Sequence, residues 1–168
     1  MDLTVDIVID KALMGQVEAN VPKSSLLSTF PQNVKEMVDS INKFAGTNKI
    51  KVLRIWSHGW THYPDDRDYP NGNIVVGVDN IRLETFENHR QELSKLKLSF
   101  AKSARVELRG CSPAKGNGKE MMIKLAQLLE VEIHGSTKTQ ELIFWKPPVF
   151  AANPSGSFDK LLNPIEVY

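Results

Sequence analysis

Between residues 49 and 135 the chain alternates between segments with strand-like and helix-like hydrophobic spacing. Short apolar runs occupy residues 49–57, 104–109 and 131–135, and helical spacing occupies residues 84–97 and 121–129. Such alternation favours parallel strand pairing with helices packed on the faces of the sheet. We therefore predict an α/β fold, with a mostly parallel β-sheet of five or six strands and helices on both faces.

The flanking segments are expected to join the same unit. Leu3, Val5 and Ile7 alternate as in a strand, and a β-like run at residues 16–21 predicts a hairpin with it. Residues 31–46 have helical spacing after Pro31.

With 168 residues and no linker or repeat, we expect a single domain, residues 1–168. Its parts would be a core at 50–145, an N-terminal hairpin and helix at 1–46, and an irregular C-terminal tail at 147–168.

Charge and hydropathy exclude some classes of partner. Lysine and arginine number 21 against 20 aspartates and glutamates, which gives no electrostatic case for nucleic acid or an anionic membrane. No run of about 20 apolar residues is present, and the N-terminus lacks the pattern of a secretory signal. We expect a cytoplasmic domain, or one exported without a cleaved signal peptide.

Two strand-like runs end in residues that could carry chemistry. The first is followed by His58-Gly59, and the second by Gly110-Cys111, which contains the single cysteine of the chain. Ligands of open parallel sheets bind beyond the carboxyl ends of the strands, so an imidazole and a thiol there could face each other across one crevice. The backbone N–H groups of Gly59 and Cys111 are candidates for an oxyanion hole.

The order and spacing of these two residues lead to a family resemblance. Cys111 follows His58 by 53 residues, and caspases place the histidine about 50 residues upstream of the cysteine. The hydrophobic blocks followed by His-Gly and by Gly-Cys resemble caspase-like (clan CD) cysteine peptidases. Val106-Glu-Leu-Arg-Gly-Cys-Ser-Pro and its continuation to Thr137 are similar to bacterial caspase-like domains found in secreted or toxin-associated proteins.

The resemblance, which covers about residues 50–145, implies a mechanism. Cys111 would attack a peptide carbonyl, His58 would move the proton, and an acyl-enzyme would be hydrolysed without a cofactor or a metal. The expected partner is a protein or peptide substrate, and the oligomeric state is left open.

The same resemblance suggests residues that contact the substrate. Arg109 occupies the position, two before the nucleophile, that lines the substrate pocket of caspases, and an arginine there would favour an acidic side chain. The alternative is that Arg109 pairs with a nearby glutamate. Trp60 and His62, in the loop 60–80, are further candidates for substrate binding.

Two other interpretations remain open. His58 and His62 have the i, i+4 spacing of a zinc helix, but Gly59 and Pro64 disfavour a helix there. Because Leu108-Arg-Gly-Cys-Ser-Pro replaces the caspase Gln-Ala-Cys-Arg-Gly motif, the chain could also be a non-catalytic interaction or effector module on a caspase-like scaffold, linked to a bacterial secretion or toxin system.

Overall fold

A computed structural model describes residues 2–27, 29–57, 72–110, 112–138 and 144–164. The elements of these ranges are β1 (Asp2–Val8), α1 (Met14–Glu18), β2 (Leu26–Leu27), α2 (Val34–Ala45), β3 (Lys49–Trp56), β4 (Ile74–Val76), β5 (Asp79–Ile81), α3 (Phe86–Ser94), β6 (Phe100–Leu108), α4 (Gly118–Leu129), β7 (Glu132–Ser136), β8 (Val149–Ala152) and β9 (Phe158–Leu161).

The main sheet of the described chain has seven strands in the order β2-β1-β3-β6-β7-β8-β9. The pairs from β2 to β7 are all parallel, whereas β8 and β9 are added as antiparallel strands. Strands β4 and β5 form a separate antiparallel hairpin. The predicted α/β class with a mostly parallel sheet is therefore confirmed, but the sheet has seven strands and not the five or six predicted.

Three helices cover one side of this sheet, which we call the helix face. Alternate residues of the central strands point to it, and helices α2, α3 and α4 bury their apolar stripes against them. Helix α2 is capped at its N-terminus by Asn33, whose side chain accepts a hydrogen bond from the N–H of Glu36, and at its C-terminus by Gly46, which has a φ of 58°. On β1, β3, β6 and β7, the strand residues in this core include Val5, Ile7, Leu53, Ile55, Val106, Leu108 and Ile133.

The opposite side of the sheet carries a smaller apolar cluster at one corner. Val8 of β1 and Trp56 of β3 are fully buried there against Val17 of α1 and Val21. Helices therefore lie on both faces, as predicted, but the α-helix described on this side, α1, has only five residues. Charged side chains occupy the strands beside this cluster, so we call this side the charged face.

The predicted N-terminal hairpin is wrong. The run 16–21, predicted to be the second strand, instead overlaps helix α1, residues 14–18. The N–H of Val21 continues the helical turn by bonding to the carbonyl of Val17 at 3.0 Å. Val17 and Val21 are four residues apart, so a helical turn brings both to Val8 and Trp56. The partner of β1 on that edge is instead β2, which runs parallel to it.

The prediction of an irregular C-terminal tail is also wrong, because β8 and β9 form a hairpin that extends the sheet. The turn between them contains Asn153 and Gly156, and the N–H of Gly156 bonds to the Asn153 carbonyl at 2.9 Å. Gly156 has a φ of 94°, which favours glycine. The rings of Phe150 and Phe158 stack across the hairpin with their centroids 4.9 Å apart.

Candidate active site at the carboxyl ends of the parallel strands

Three neighbouring parallel strands end together at one edge of the sheet. Ile55 of β3 is in register with Leu108 of β6, and the N–H of Arg109 bonds to the Ile55 carbonyl at 2.9 Å. On the other side of β3, the N–H of Ile9 bonds to the Trp56 carbonyl at 2.9 Å. The chain therefore leaves β1, β3 and β6 at adjacent points, where α/β sheets bind their ligands.

The predicted dyad belongs to the segments that follow these ends. His58 comes two residues after β3 in the chain, and Cys111 comes three residues after β6. Both residues lie outside the described part of the structure, as do Gly59, Trp60 and His62. The described neighbours Ser57 and Ser112 are buried.

The segment after Cys111 is fixed to the end of β7. The N–H of Ser112 bonds to the carbonyl of Lys138 at 3.1 Å, and the N–H of Ala114 bonds to that of Ser136 at 3.0 Å. Ser112 has a φ of 53°, an uncommon conformation for a residue other than glycine. Backbone bonds that impose such a conformation hold the chain in a defined path.

Two glycines allow the long loop and the cysteine-containing segment to touch. Gly72 is the first described residue after positions 58–71. A Cβ atom added there would lie 2.5 Å from the backbone nitrogen of Gly118, and one added to Gly118 would lie 1.9 Å from the Pro113 oxygen. These backbones approach so closely that side chains are excluded at both positions.

A row of charged side chains crosses the charged face beneath this edge. Asp6 of β1, Arg54 of β3 and Glu107 of β6 are in register and buried. Arg54 lies between the two carboxylates, with Nη1 3.3 Å from Asp6 Oδ1 and Nε 3.3 Å from Glu107 Oε2.

Other side chains donate further hydrogen bonds to both carboxylates. Trp56 Nε1 donates to Asp6 Oδ1 at 3.0 Å, and Ser25 Oγ donates to Asp6 Oδ2 at 2.6 Å. Arg105 Nε donates to Glu107 Oε1 at 2.7 Å. Buried charges are tolerated when they are paired and hydrogen-bonded in this way.

Arg109, a predicted substrate-binding residue, belongs to this network. Its side chain is 0% exposed, and its Nε and Nη2 donate to Glu107 Oε2 at 3.0 and 2.7 Å. Its guanidinium carbon lies 3.8 Å from the ring centroid of Trp145 and 5.8 Å from that of Trp56. Of the two interpretations offered by the sequence, the contacts favour pairing with a glutamate.

The arginines control the ionisation of Glu107. Burial by itself raises the pKa of this carboxyl, but the guanidinium groups of Arg109 and Arg54 outweigh it and hold the pKa below the ordinary glutamate value. Glu107 is therefore an ionised counter-ion and not a proton donor near neutral pH.

Sequence reasoning did not identify Asp6, Arg54 and Glu107 as one network. The sequence did show a charged residue within each of three apolar strands. Because side chains alternate between the two faces of a sheet, each of these residues is expected on the side opposite the helix face. Nothing in the sequence alone pairs those strands in this order, so the network required the sheet topology.

The described ranges meet the requirements of neither a metal site nor a membrane span. No group of three histidine, cysteine, aspartate or glutamate side chains is placed there to hold a metal ion. His134, on β7, contacts Glu132 with 3.0 Å between Nε2 and Oε2. No helix in these ranges is long and apolar enough to cross a membrane.

One pocket opens beside the end of β1. It has a volume of about 460 Å³ and is lined by Ile9, Asp10, Lys11, Phe30, Gln32, Val75 and Gly77. The lining combines apolar side chains with a few polar groups, and the pocket is open to solvent. Because β1 adjoins β3, the pocket is adjacent to the edge at which β3 ends.

Comparison with known proteins identifies the family. The profile of DUF4347, a domain of unknown function, matches residues 7–140. This chain belongs to the DUF4347 family. The match runs from β1 to the residues after β7 and includes the four described helices, whereas the β8–β9 hairpin of this DUF4347 domain lies beyond it. No curated protein and no solved structure matches the chain.

Proposed function

We propose that this DUF4347 domain is a caspase-like cysteine hydrolase, an endopeptidase in which Cys111 is the nucleophile and His58 the base. The observation that carries this proposal is the adjacency of β3 and β6. These strands are parallel neighbours whose ends are joined by the bond from Arg109 N–H to the Ile55 carbonyl, and His58 and Cys111 follow them within three residues. Covalent catalysis requires a base within hydrogen-bond reach of the nucleophile, and adjacent strand ends support the proposal because residues that follow them leave the sheet at neighbouring points.

The chemistry would be acyl transfer through a thioester. The Cys111 thiol gives its proton to the His58 imidazole, and the thiolate sulfur attacks the peptide carbonyl carbon. Backbone N–H groups stabilise the resulting oxyanion. The C–N bond then breaks as His58 returns the proton to the leaving amine. Water, deprotonated by His58, attacks the thioester and releases the carboxylic acid and the free thiol.

Thiol alkylation tests this proposal without a known substrate. Cys111 is the single cysteine, so labelling of the full chain by iodoacetamide reports on this residue alone. A free cysteine has a pKa of about 8.5, and histidine-paired or otherwise activated cysteines have values of about 3.5–7.5. We expect His58→Ala to slow labelling at pH 6.5 by about tenfold or more.

A histidine away from the strand ends provides the matched control. His89 lies on α3, and His89→Gln should leave the labelling rate unchanged. If the wild type reacts no faster than a free thiol and His58→Ala has no effect, the chain is not a cysteine hydrolase. A non-catalytic interaction module, the alternative offered by the sequence, would then be the better interpretation.

A further inference from the structure

The positive charge of Arg109 is already paired inside the protein. Two of its nitrogens donate to Glu107 Oε2, the closer at 2.7 Å, and both side chains are essentially inaccessible to solvent. Because the Arg109 side chain is 0% exposed, an acidic substrate side chain could reach it only if the packing over the guanidinium group opened. Opening that packing is unfavourable, because it would disturb a buried ion pair.

The same side chain joins three separate segments. Its guanidinium group packs on Trp145, beyond β7, and lies near Trp56 at the end of β3. Its backbone N–H bonds to the Ile55 carbonyl. A planar guanidinium can pair with a carboxylate through two nitrogens while stacking on an aromatic ring, which an ammonium group cannot do.

Arg109 comes two residues before Cys111, and Ser112, on the far side, is fixed through its N–H to Lys138. The described chain is thus anchored on both sides of the proposed nucleophile. We infer that Arg109, held by Glu107 and Trp145, is a positioning residue for the segment that carries Cys111, and is not the residue that selects an acidic substrate. This inference rests on the proposed function.

Two alkylating reagents of similar size distinguish positioning from charge recognition. Iodoacetate is an anion and iodoacetamide is neutral, so the ratio of their rates with Cys111 reports the cationic charge available at the site. We expect Arg109→Gln and Arg109→Lys to slow both reagents by similar factors, with a ratio that stays within about twofold of wild type. Lysine should not restore the rate, because an ammonium group can neither pair with Glu107 through two nitrogens in one plane nor stack on the ring of Trp145.

The control is Arg90→Gln. Arg90 pairs with Glu87 on the exposed surface of α3, with 3.2 Å between Nη1 and Oε2. This variant should leave both rates near those of the wild type. Trp145→Leu provides a variant that keeps the Arg109–Glu107 pair and should also slow iodoacetamide. If circular dichroism shows that the Arg109 variants are unfolded, Trp145→Leu tests the positioning role in their place.

The inference is overturned if Arg109→Gln lowers the iodoacetate-to-iodoacetamide ratio about fivefold or more while the iodoacetamide rate stays unchanged. It is equally overturned if Trp145→Leu, in a folded chain, leaves the iodoacetamide rate unchanged. A wild-type rate equal to that of a free thiol would instead remove the proposed function. Failure of the inference and failure of the function therefore give different results.

Discussion

Glu107 is the shared acceptor of the charged face. It is in contact with Arg54, Arg105 and Arg109, and with 1% of its side chain exposed it has almost no access to water. Paired charges in such a place are stable together, but removal of one partner leaves the others uncompensated. The carboxylate is therefore more important to the fold than an exposed ion pair of similar geometry would be.

We predict that Glu107→Gln lowers the free energy of unfolding by about 3–5 kcal/mol, because buried guanidinium groups lose their counter-ion. Urea denaturation at pH 7 measures this change. Asp39→Asn provides the control, since it breaks the exposed Lys35–Asp39 pair on α2 and should behave like the wild type. Equal stability of the two variants would contradict a buried charge network.

The pKa of Glu107 also predicts how stability depends on pH. Because its folded-state pKa lies below the ordinary value of 4.5, its stabilising contribution is complete above that pH and is lost as the pH falls through the folded value. Wild type should therefore lose stability more steeply than Glu107→Gln below about pH 4.5. Parallel curves from urea denaturation between pH 3 and 7 would show that Glu107 is not the linked group.

Close backbone contact at the start of α4 connects the long loop to the segment after Cys111. A methyl group at Gly118 would meet the Pro113 oxygen at 1.9 Å and the Cα of Gly72 at 2.7 Å, and both of these are backbone atoms that cannot rotate away. Gly15, in α1, has no atom within 4 Å of the corresponding position. The two glycines are thus a matched pair for the same substitution.

Gly118→Ala should destabilise the protein by about 1–3 kcal/mol through overpacking. Gly15→Ala should stabilise it by about 0.5–1 kcal/mol, because alanine is the better helix former. Thermal or urea denaturation of the two variants measures both changes. A Gly118→Ala protein as stable as wild type would mean that the two backbones are not in contact.

Helix α2 is capped both by its own chain and by the β4–β5 hairpin. Asn33 Oδ1 accepts from the N–H of Glu36 at 2.9 Å, and Asp79 Oδ2 accepts from the N–H of Val34 at 2.8 Å. These bonds satisfy two of the N–H groups that a helix leaves without an internal partner. The hairpin is thereby fixed to the helix face through a charged group.

Asn33→Ala should cost about 0.5–2 kcal/mol of folding free energy through the loss of this cap. Asn33→Asp should restore most of it, because an aspartate accepts the same bond and favours the helix N-terminus. Urea denaturation of both variants compares them directly. If alanine and aspartate give the same stability, the Asn33 bond contributes nothing.

The order of the strands explains how distant positions in the sequence come to one edge. β1, β3 and β6 are separated by helices in the chain but are neighbours in the sheet. Their hydrophobic periodicity was visible in the sequence, and so was the ending of β3 and β6 just before His58 and Cys111. These features depend on local spacing, which sequence alone can reveal.

Features that depend on distant partners were not predictable in the same way. The β8–β9 hairpin needs β7 as its neighbour, and Phe150 stacks on Phe158 only after the hairpin forms. Arg109 illustrates the intermediate case. Arg109 follows β6 directly, and its spacing from Glu107 by two residues predicts that both side chains lie on one side of extended chain. Its contact with Trp145 follows from the fold.

The most direct test of the proposed hydrolase is covalent trapping by a peptide whose terminal carboxyl is replaced by a thiol-reactive ketone. Intact-mass spectrometry of the full chain, across a small library of such peptides, measures adduct formation. We expect a single adduct on the wild type with at least one peptide, greatly slowed formation on His58→Ala, and none on Cys111→Ala. Equal, slow labelling of wild type and His58→Ala with every peptide would contradict the His58–Cys111 dyad.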